Sequence, residues 1–221
     1  MSLVRGCTEA DAAGFVLAGG QSSRMGADKA LVELGGQPLI ARALATLREA
    51  GLEAQIAGAR SPLGAFAPVV EDAGLGPLGG VCAALAASSA RLGVFLPVDL
   101  PLMPALLLSY LVEHAGITGA AVTVPSVNGF AQTFPAVVDR AALPLFERAL
   151  QAGRGGCFAA FQSAAGEMGR TFSILPVELL AQAGHVTHPE GLPVALWFLN
   201  VNGPGDLARA KALVPASDRV S

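Results

Sequence analysis

Short apolar runs that do not alternate, each followed by helical periodicity, recur along this chain and limit what it can become. Phe15-Val16-Leu17-Ala18 is stopped by two glycines, and residues 93–98 form a second such run. Residues 54–57, 69–70, 120–124, 133–138 and 196–201 read as further strands, with a turn at 126–129. A strand with one wet face alternates apolar with polar residues, so a run that does not alternate is covered on both faces. Between the runs lie helical patterns. Pro38 opens one in which Leu39, Ile40, Ala43, Leu44 and Leu47 share a face, and Gly51 closes it. Residues 76–90, the segment after Pro104, 141–152 and 206–213 read as helices as well. The alternation predicts an α/β fold: a doubly wound, Rossmann-like and mostly parallel sheet with helices on both faces. With 221 residues, no internal repeat and no linker, residues 1–221 are expected to form a single domain.

Composition removes several function classes. Apolar residues make up 52% of the chain, charged residues 14%, and the net charge is −3. Such a chain has no basic field for nucleic acid or for an acidic membrane surface. Mean hydropathy is high at +0.55, and residues 93–112 carry a single charge, Asp99. That charge and Pro97, Pro101 and Pro104 argue for a buried strand and helix instead of a membrane span. Residues 1–13 hold Arg5, Glu9 and Asp11 and lack the apolar run of a signal peptide. Cys7, Cys82 and Cys157 are odd in number and far apart, which argues against a cysteine zinc site and a disulfide framework. A reducing, cytoplasmic location is expected. His185 and His188, framed by Gly184 and Pro189, read as loop residues and not as metal ligands.

In open α/β sheets, ligands sit beyond the carboxyl ends of the strands. The residues just past the apolar runs are Gly19, Gly20, Arg24 and Lys29, then Glu71 and Asp72, then Asp99, and finally Asn200 and Asn202. A glycine pair lets backbone N–H groups approach anionic oxygens, although its spacing matches neither a dinucleotide fingerprint nor a P-loop. Of 14 basic residues only Lys29 and Lys211 are lysines, so a lysine in this loop points to a need for a compact ammonium. Asp99, ending an apolar run, requires a partner or a metal if it is ionised. At a strand's carboxyl end it suits Mg²⁺, which takes one or two carboxylates plus phosphate oxygens and water. On a strand, alternation would put Asn200 and Asn202 on one side; turn chemistry with Gly203-Pro204 is the blander reading. Cations, glycines, a carboxylate and amides without a covalent nucleophile suit phosphoryl or nucleotidyl transfer.

These residues carry a resemblance. Residues 17–31, Leu-Ala-Gly-Gly-Gln-Ser-Ser-Arg-Met-Gly-Ala-Asp-Lys-Ala-Leu, closely resemble the opening motif of the nucleotidyltransferase superfamily. Glu71-Asp72, Gly76-Pro77-Leu78-Gly79-Gly80, Pro97-Val98-Asp99-Leu100-Pro101 and Asn200-Val201-Asn202-Gly203-Pro204 follow in the order of the molybdenum cofactor guanylyltransferases. The resemblance implies that Leu17, Ala18, Gly19 and Gly20 take the nucleotide through backbone, with Asp72 beside them. Lys29, assisted by Arg24, would hold the triphosphate, and Asp99 would hold Mg²⁺. Asn200 and Asn202 would face the second substrate or the metal. It also implies GTP and a molybdopterin cofactor as substrates, and transient contact with molybdoenzyme maturation proteins. Two departures stand out: Ala57-Gly58-Ala59 replaces an asparagine near the base, and Gly155-Gly156 replaces a basic pair, leaving Arg154 alone. The rival readings are a molybdopterin cytidylyltransferase, another nucleotidyltransferase of this fold, and a nucleotide-binding regulator without turnover.

Overall fold

The computed structural model describes residues 11–18, 28–58, 63–72, 74–154 and 156–214. Strand β1 (Ala12–Leu17) leads to a two-stranded hairpin, β2 (Glu33–Leu34) and β3 (Gln37–Pro38). Helix α1 (Leu39–Glu49), β4 (Glu53–Ala57), β5 (Val69–Val70), α2 (Gly76–Ala87), β6 (Leu92–Pro97) and α3 (Ala105–Thr118) follow. The second half supplies β7 (Val122–Val127), β8 (Phe130–Ala131), β9 (Ala136–Asp139), α4 (Leu143–Gln151) and α5 (Cys157–Glu167). It ends with β10 (Phe172–Pro176), α6 (Val177–Gln182), α7 (Val194–Trp197) and α8 (Pro204–Leu213).

The main sheet has the order β10-β7-β9-β6-β1-β4-β5, with β8 folded back on β7. Four pairings are parallel: β1 with β4, β1 with β6, β4 with β5, and β10 with β7. Strand β9 is antiparallel to both β6 and β7. It therefore restores the direction of β7, and the carboxyl ends of β1, β4, β6 and β7 share one edge. The strand order reverses at β1, which has β4 on one side and β6 on the other. A crevice at such a reversal is where doubly wound sheets bind ligands.

The missing alternation in β1 now has its explanation. Ala12 and Val16 join the core beneath α1 and α3, whereas Ala13, Phe15 and Leu17 join the core beneath α2, α4 and α5. Both faces are dry, so both sets must be apolar. Close layers also require small residues. A Cβ on Gly93 of β6 would lie 2.8 Å from Leu85 Cδ2 of α2 and 2.9 Å from the Phe95 ring.

Three sequence expectations need correction. Residues 196–201 are not a strand: Pro193 starts the short helix α7, and Trp197 is buried there with its Nε1–H donated to the Leu192 carbonyl at 2.7 Å. The turn read at 126–129 is shorter, and a strand not read from the sequence, β8, follows it. Strand β7 runs to Val127, and Asn128 and Gly129, with φ of 52° and 78°, turn it into β8. Finally α5, β10 and α6 were not anticipated. In α5 the buried Cys157, Ala160, Phe161, Ala164 and Ala165 follow helical spacing, a signal present in the sequence.

A polar tie closes the far end of the sheet. Asp139, 5% exposed, accepts from Arg170 Nη2 at 2.7 Å, from Arg91 Nε at 3.5 Å and from the Ala141 N–H at 2.9 Å. Arg170 also donates to the Gly119 carbonyl from Nε and Nη2. Burial pushes the Asp139 carboxyl up, but the hydrogen bonds from Arg170 and Ala141 and the Arg170 charge outweigh it, and the net direction is down. A depressed carboxylate contributes stability above the ordinary carboxylate range and loses it as pH falls through its folded value. Arg170→Met should cost about 2–3 kcal/mol at pH 7, and the gap to wild type should narrow in acid. Denaturant titrations at pH 7 and pH 3 check this; a gap independent of pH would show that Asp139 does not carry the effect.

Candidate active site

Along the carboxyl edge, two groups of residues flank the strand-order reversal. The first lies beyond β6. Asp99 sits in the turn after this strand, its carbonyl accepting the Val201 N–H at 2.9 Å. Lys29 opens a short 3-10 turn whose preceding Asp28 accepts the Ala30 N–H at 3.1 Å. From there the Lys29 ammonium donates to Asp99 Oδ2 at 2.8 Å and to Asn202 Oδ1 at 2.6 Å. These three residues are 70 and 173 positions apart along the chain. The ion pair is largely shielded, with side-chain exposures of 17% for Lys29 and 24% for Asp99.

The second group lies beyond β1, β4 and β5. Asp72 Oδ1 accepts the Gly74 N–H at 2.9 Å. Its Oδ2 lies 3.7 Å and 3.6 Å from where Cβ atoms on Gly79 and Gly80 would sit. Leu17 Cδ2 lies 3.4 Å from that Gly80 position, so Asp72 and Leu17 close on the same bare stretch of α2. The ordinary φ of Gly80 makes this a matter of close approach and not of backbone strain. The Ala18 N–H is already donated to the Ala57 carbonyl at 3.1 Å, and the Leu17 carbonyl accepts the Val98 N–H at 3.1 Å.

Of the residues singled out in the sequence, the structure thus joins Lys29, Asp99 and Asn202, and separately Leu17 and Asp72. Gly19, Gly20 and Arg24 lie outside the described residues. Asn200 is exposed and lies on no strand, so alternation does not pair it with Asn202. Sequence reasoning overlooked two supports. The Asn202 N–H donates to Asp206 Oδ2 at 3.0 Å, and Val201, fully buried, links the Asn202 segment to the Asp99 turn. An acidic residue in the first turn of a helix beginning Gly-Pro was the readable signal for Asp206.

The donor set can serve a hard cation. Asp99 Oδ1 has no hydrogen-bond partner among the described residues, and the Asn202 amide oxygen lies on the same ammonium. No group of three or more His, Cys, Asp or Glu that could hold an ion occurs among the described residues. A protein shell of this kind is incomplete on its own and fits Mg²⁺, which keeps water and takes the rest of its oxygens from phosphates. No helix of the described residues is long and apolar enough to cross a membrane; residues 93–112 are β6, the Asp99 turn and part of α3. Cys82 and Cys157 are buried and unpaired. Burial pushes their thiols up to about 11 and about 12, which leaves them poor nucleophiles at neutral pH.

Known proteins resemble this chain in sequence and in fold. A model of the MobA-like NTP transferase domain matches residues 14–167. The chain is 31% identical over 206 residues to a probable molybdenum cofactor guanylyltransferase of Haloferax mediterranei, covering 88% of this chain and 90% of that protein. It is 47% identical over 100 residues to a molybdenum cofactor guanylyltransferase of Xanthomonas euvesicatoria; that match spans 44% of this chain and 52% of the relative. In fold it resembles the crystal structure of molybdopterin-guanine dinucleotide biosynthesis protein A from Archaeoglobus fulgidus. The TM-score is 0.72 at 22% identity, covering 90% of this chain and 97% of that one.

Proposed function

The chain belongs to the MobA-like NTP transferase family, and we propose on that premise that it transfers GMP from GTP to a molybdopterin cofactor, releasing pyrophosphate. The observation that carries the reading is the meeting of Lys29, Asp99 and Asn202 beside the strand-order reversal. An ammonium held against one carboxylate and one amide, without a poised nucleophile, suits a reaction in which the protein positions phosphates and neutralises charge.

In this reading the base and ribose lie across Leu17, Ala18 and the bare face at Gly79 and Gly80, with Asp72 alongside and Gly19 and Gly20 continuing the loop. Because the Ala18 N–H is taken by Ala57, contacts from that residue fall to its carbonyl oxygen. Lys29, with Arg24, draws the triphosphate toward Asp99. Asp99 and the Asn202 oxygen would hold Mg²⁺; when bound, that ion supplies charge neutralisation at the phosphates and orients the leaving pyrophosphate. The attacking group is a phosphate oxygen of the acceptor, already anionic near neutral pH, so no side chain need remove a proton from it. The bond that forms joins this oxygen to the α-phosphorus, and the bond that breaks releases pyrophosphate. Asn200 and Asn202 face the acceptor. The unpaired, buried cysteines agree with a reducing cytoplasm, and hand-over of product to molybdoenzyme maturation proteins belongs to the same proposal. Transfer of label from α-³²P-GTP to molybdopterin, with one pyrophosphate released per transfer, tests it. Transfer from CTP in preference to GTP would move the chain to the cytidylyl class.

Base selectivity tests the second strand of the nucleotide side. Ala57 is fully buried in the core under α2, so an asparagine there would bury an amide, and Ala57→Asn is not a clean test. Gly58 is half-buried, has φ of 78°, and its Cα lies 4.0 Å from the Cβ position of Gly80. Asparagine is among the few side chains that tolerate such a φ. Gly58→Asn should raise the preference for GTP over CTP and ATP by about tenfold, the worth of one added hydrogen bond in a shielded pocket. Competitive binding at fixed Mg²⁺ reads the result, and unchanged ratios would place the base elsewhere.

A further inference from the structure

Asp99 must be held still if it is to do its work, and the turn that carries it is poorly held by itself. Within residues 97–103 the two backbone hydrogen bonds, Leu100 N–H to the Pro97 carbonyl and Met103 N–H to the Leu100 carbonyl, are both 3.3 Å. That is beyond the usual range for such bonds. Leu100, Leu102 and Met103 are buried at 4–5% exposure, which anchors their side chains but gives no hydrogen bond to the peptide planes between them. The firmer backbone contacts come from outside: Val98 N–H to the Leu17 carbonyl, and Val201 N–H to the Asp99 carbonyl. Among the described residues one side chain is bonded to the backbone of this turn: His188, whose Nε2 lies 3.1 Å from the Leu102 carbonyl.

The state of that histidine follows from its partners. A carbonyl only accepts, so Nε2 carries the proton in either charge state. Nδ1 faces both the Glu190 carboxylate at 2.8 Å and the Glu190 N–H at 3.2 Å, and so has a partner whether or not it is protonated. The Nε2 bond to Leu102 is therefore compatible with both contacts at Nδ1. The ring is 5% exposed and packs on Trp197 at a centroid separation of 6.0 Å, and Trp197 is itself fixed by its bond to Leu192. Behind His188 the segment is not filled by core. A cleft of about 220 Å³ opens there, lined by Arg42, Thr46, Met103 and Glu190 among others. The buried Arg42 Nε has no hydrogen-bond partner among the described residues. On the cleft side, the tie to this turn is therefore the His188 hydrogen bond.

We infer that His188 is a positioning residue, which sets the Asp99 carboxylate by holding the Leu102 carbonyl and, through it, the whole turn. The segment from His188 to Asn202 then grips the Asp99 turn at two points, Leu102 and Asp99 itself, while its end delivers Asn202 to Lys29. The inference deepens the proposed function and rests on it only for the kinetic consequence.

The test uses the full-length protein with His188→Leu, which fills the site without a donor, and His188→Gln, which restores an N–H near Nε2. Amide hydrogen exchange reads the turn without reference to activity. In His188→Leu, exchange across residues 98–103 and at Val201 should rise about tenfold, with β1 and β4 unchanged, and His188→Gln should return toward wild type. At saturating GTP, kcat should fall about 10–100-fold and the Mg²⁺ needed for half-maximal rate should rise, with KM for GTP within about twofold. Again His188→Gln should recover most of the loss. Exchange at residues 98–103 that is unchanged in His188→Leu, or equally raised in His188→Gln, overturns the inference whatever the activity. If wild type transfers no nucleotide, the proposed function fails, and the exchange arm still decides whether His188 holds the turn.

Discussion

Asp99→Asn should leave a folded protein that transfers nucleotide on the order of a thousandfold more slowly than wild type, the scale of losing one preorganised electrostatic group at a reacting phosphate. Asparagine is the informative change because Asp99 has a partner that must be kept. It receives a hydrogen bond from Lys29 at 2.8 Å, and truncation to alanine would leave the ammonium with Asn202 alone. An amide oxygen keeps that hydrogen bond while removing the charge. No neighbouring cluster of metal-binding side chains among the described residues can take over the role, which is why the loss should be large. The pair is partly open to solvent, so the melting temperature should move by only a few degrees. Pyrophosphate release over a range of Mg²⁺ concentrations, with a melt on the same samples, measures both. Wild-type turnover in Asp99→Asn would remove this carboxylate from the mechanism.

That Asp99 could be picked out at all reflects which physical signals a sequence carries. A charge at the end of a run buried on both faces is conspicuous, and β1 and β6 were legible for the same reason: their neighbours cover them on each side. Helix α1, with a clean apolar face and terminal Pro and Gly, was legible to within a residue. Residues 196–201 misled because the apolar run of four, Leu196 to Leu199, fits a strand as well as a buried helix end. What decides it is Trp197 finding the Leu192 carbonyl and Val201 finding Asp99, contacts set by tertiary structure. Strand β10 hid because Ile174 and Pro176 face outward on an edge strand and blur the pattern. At the site, the residue types pointed to the chemistry, but the pairing did not. Nothing local says that Asn202, and not Asn200, reaches Lys29 across 173 positions. His188 read as an ordinary loop histidine for the same reason, since its partner Leu102 is 86 positions away.

Lys29→Arg should be nearly as damaging as removing the charge, with kcat/KM for GTP falling about a hundredfold although the residue stays cationic. The ammonium donates to two oxygens, at 2.6 and 2.8 Å, on different elements, which leaves its third N–H for a phosphate. A single small donor centre can point three N–H bonds at three separate oxygens. A planar guanidinium offers its donors in one plane and suits paired oxygens on one partner. It is also longer, and a side chain only 17% exposed has little room to retract. Arginine would reach past Asp99 or tilt away from Asn202, and in either case the two groups no longer meet at one point. Because the geometry of the bound triphosphate is what the proposed function asks of Lys29, the loss should appear in kcat as well as KM. Lys211→Arg, on the exposed last turn of α8, serves as the control and should change neither. Near-wild-type kinetics for Lys29→Arg would mean that any positive charge suffices there, and that the contacts to Asp99 and Asn202 belong to folding instead of transfer.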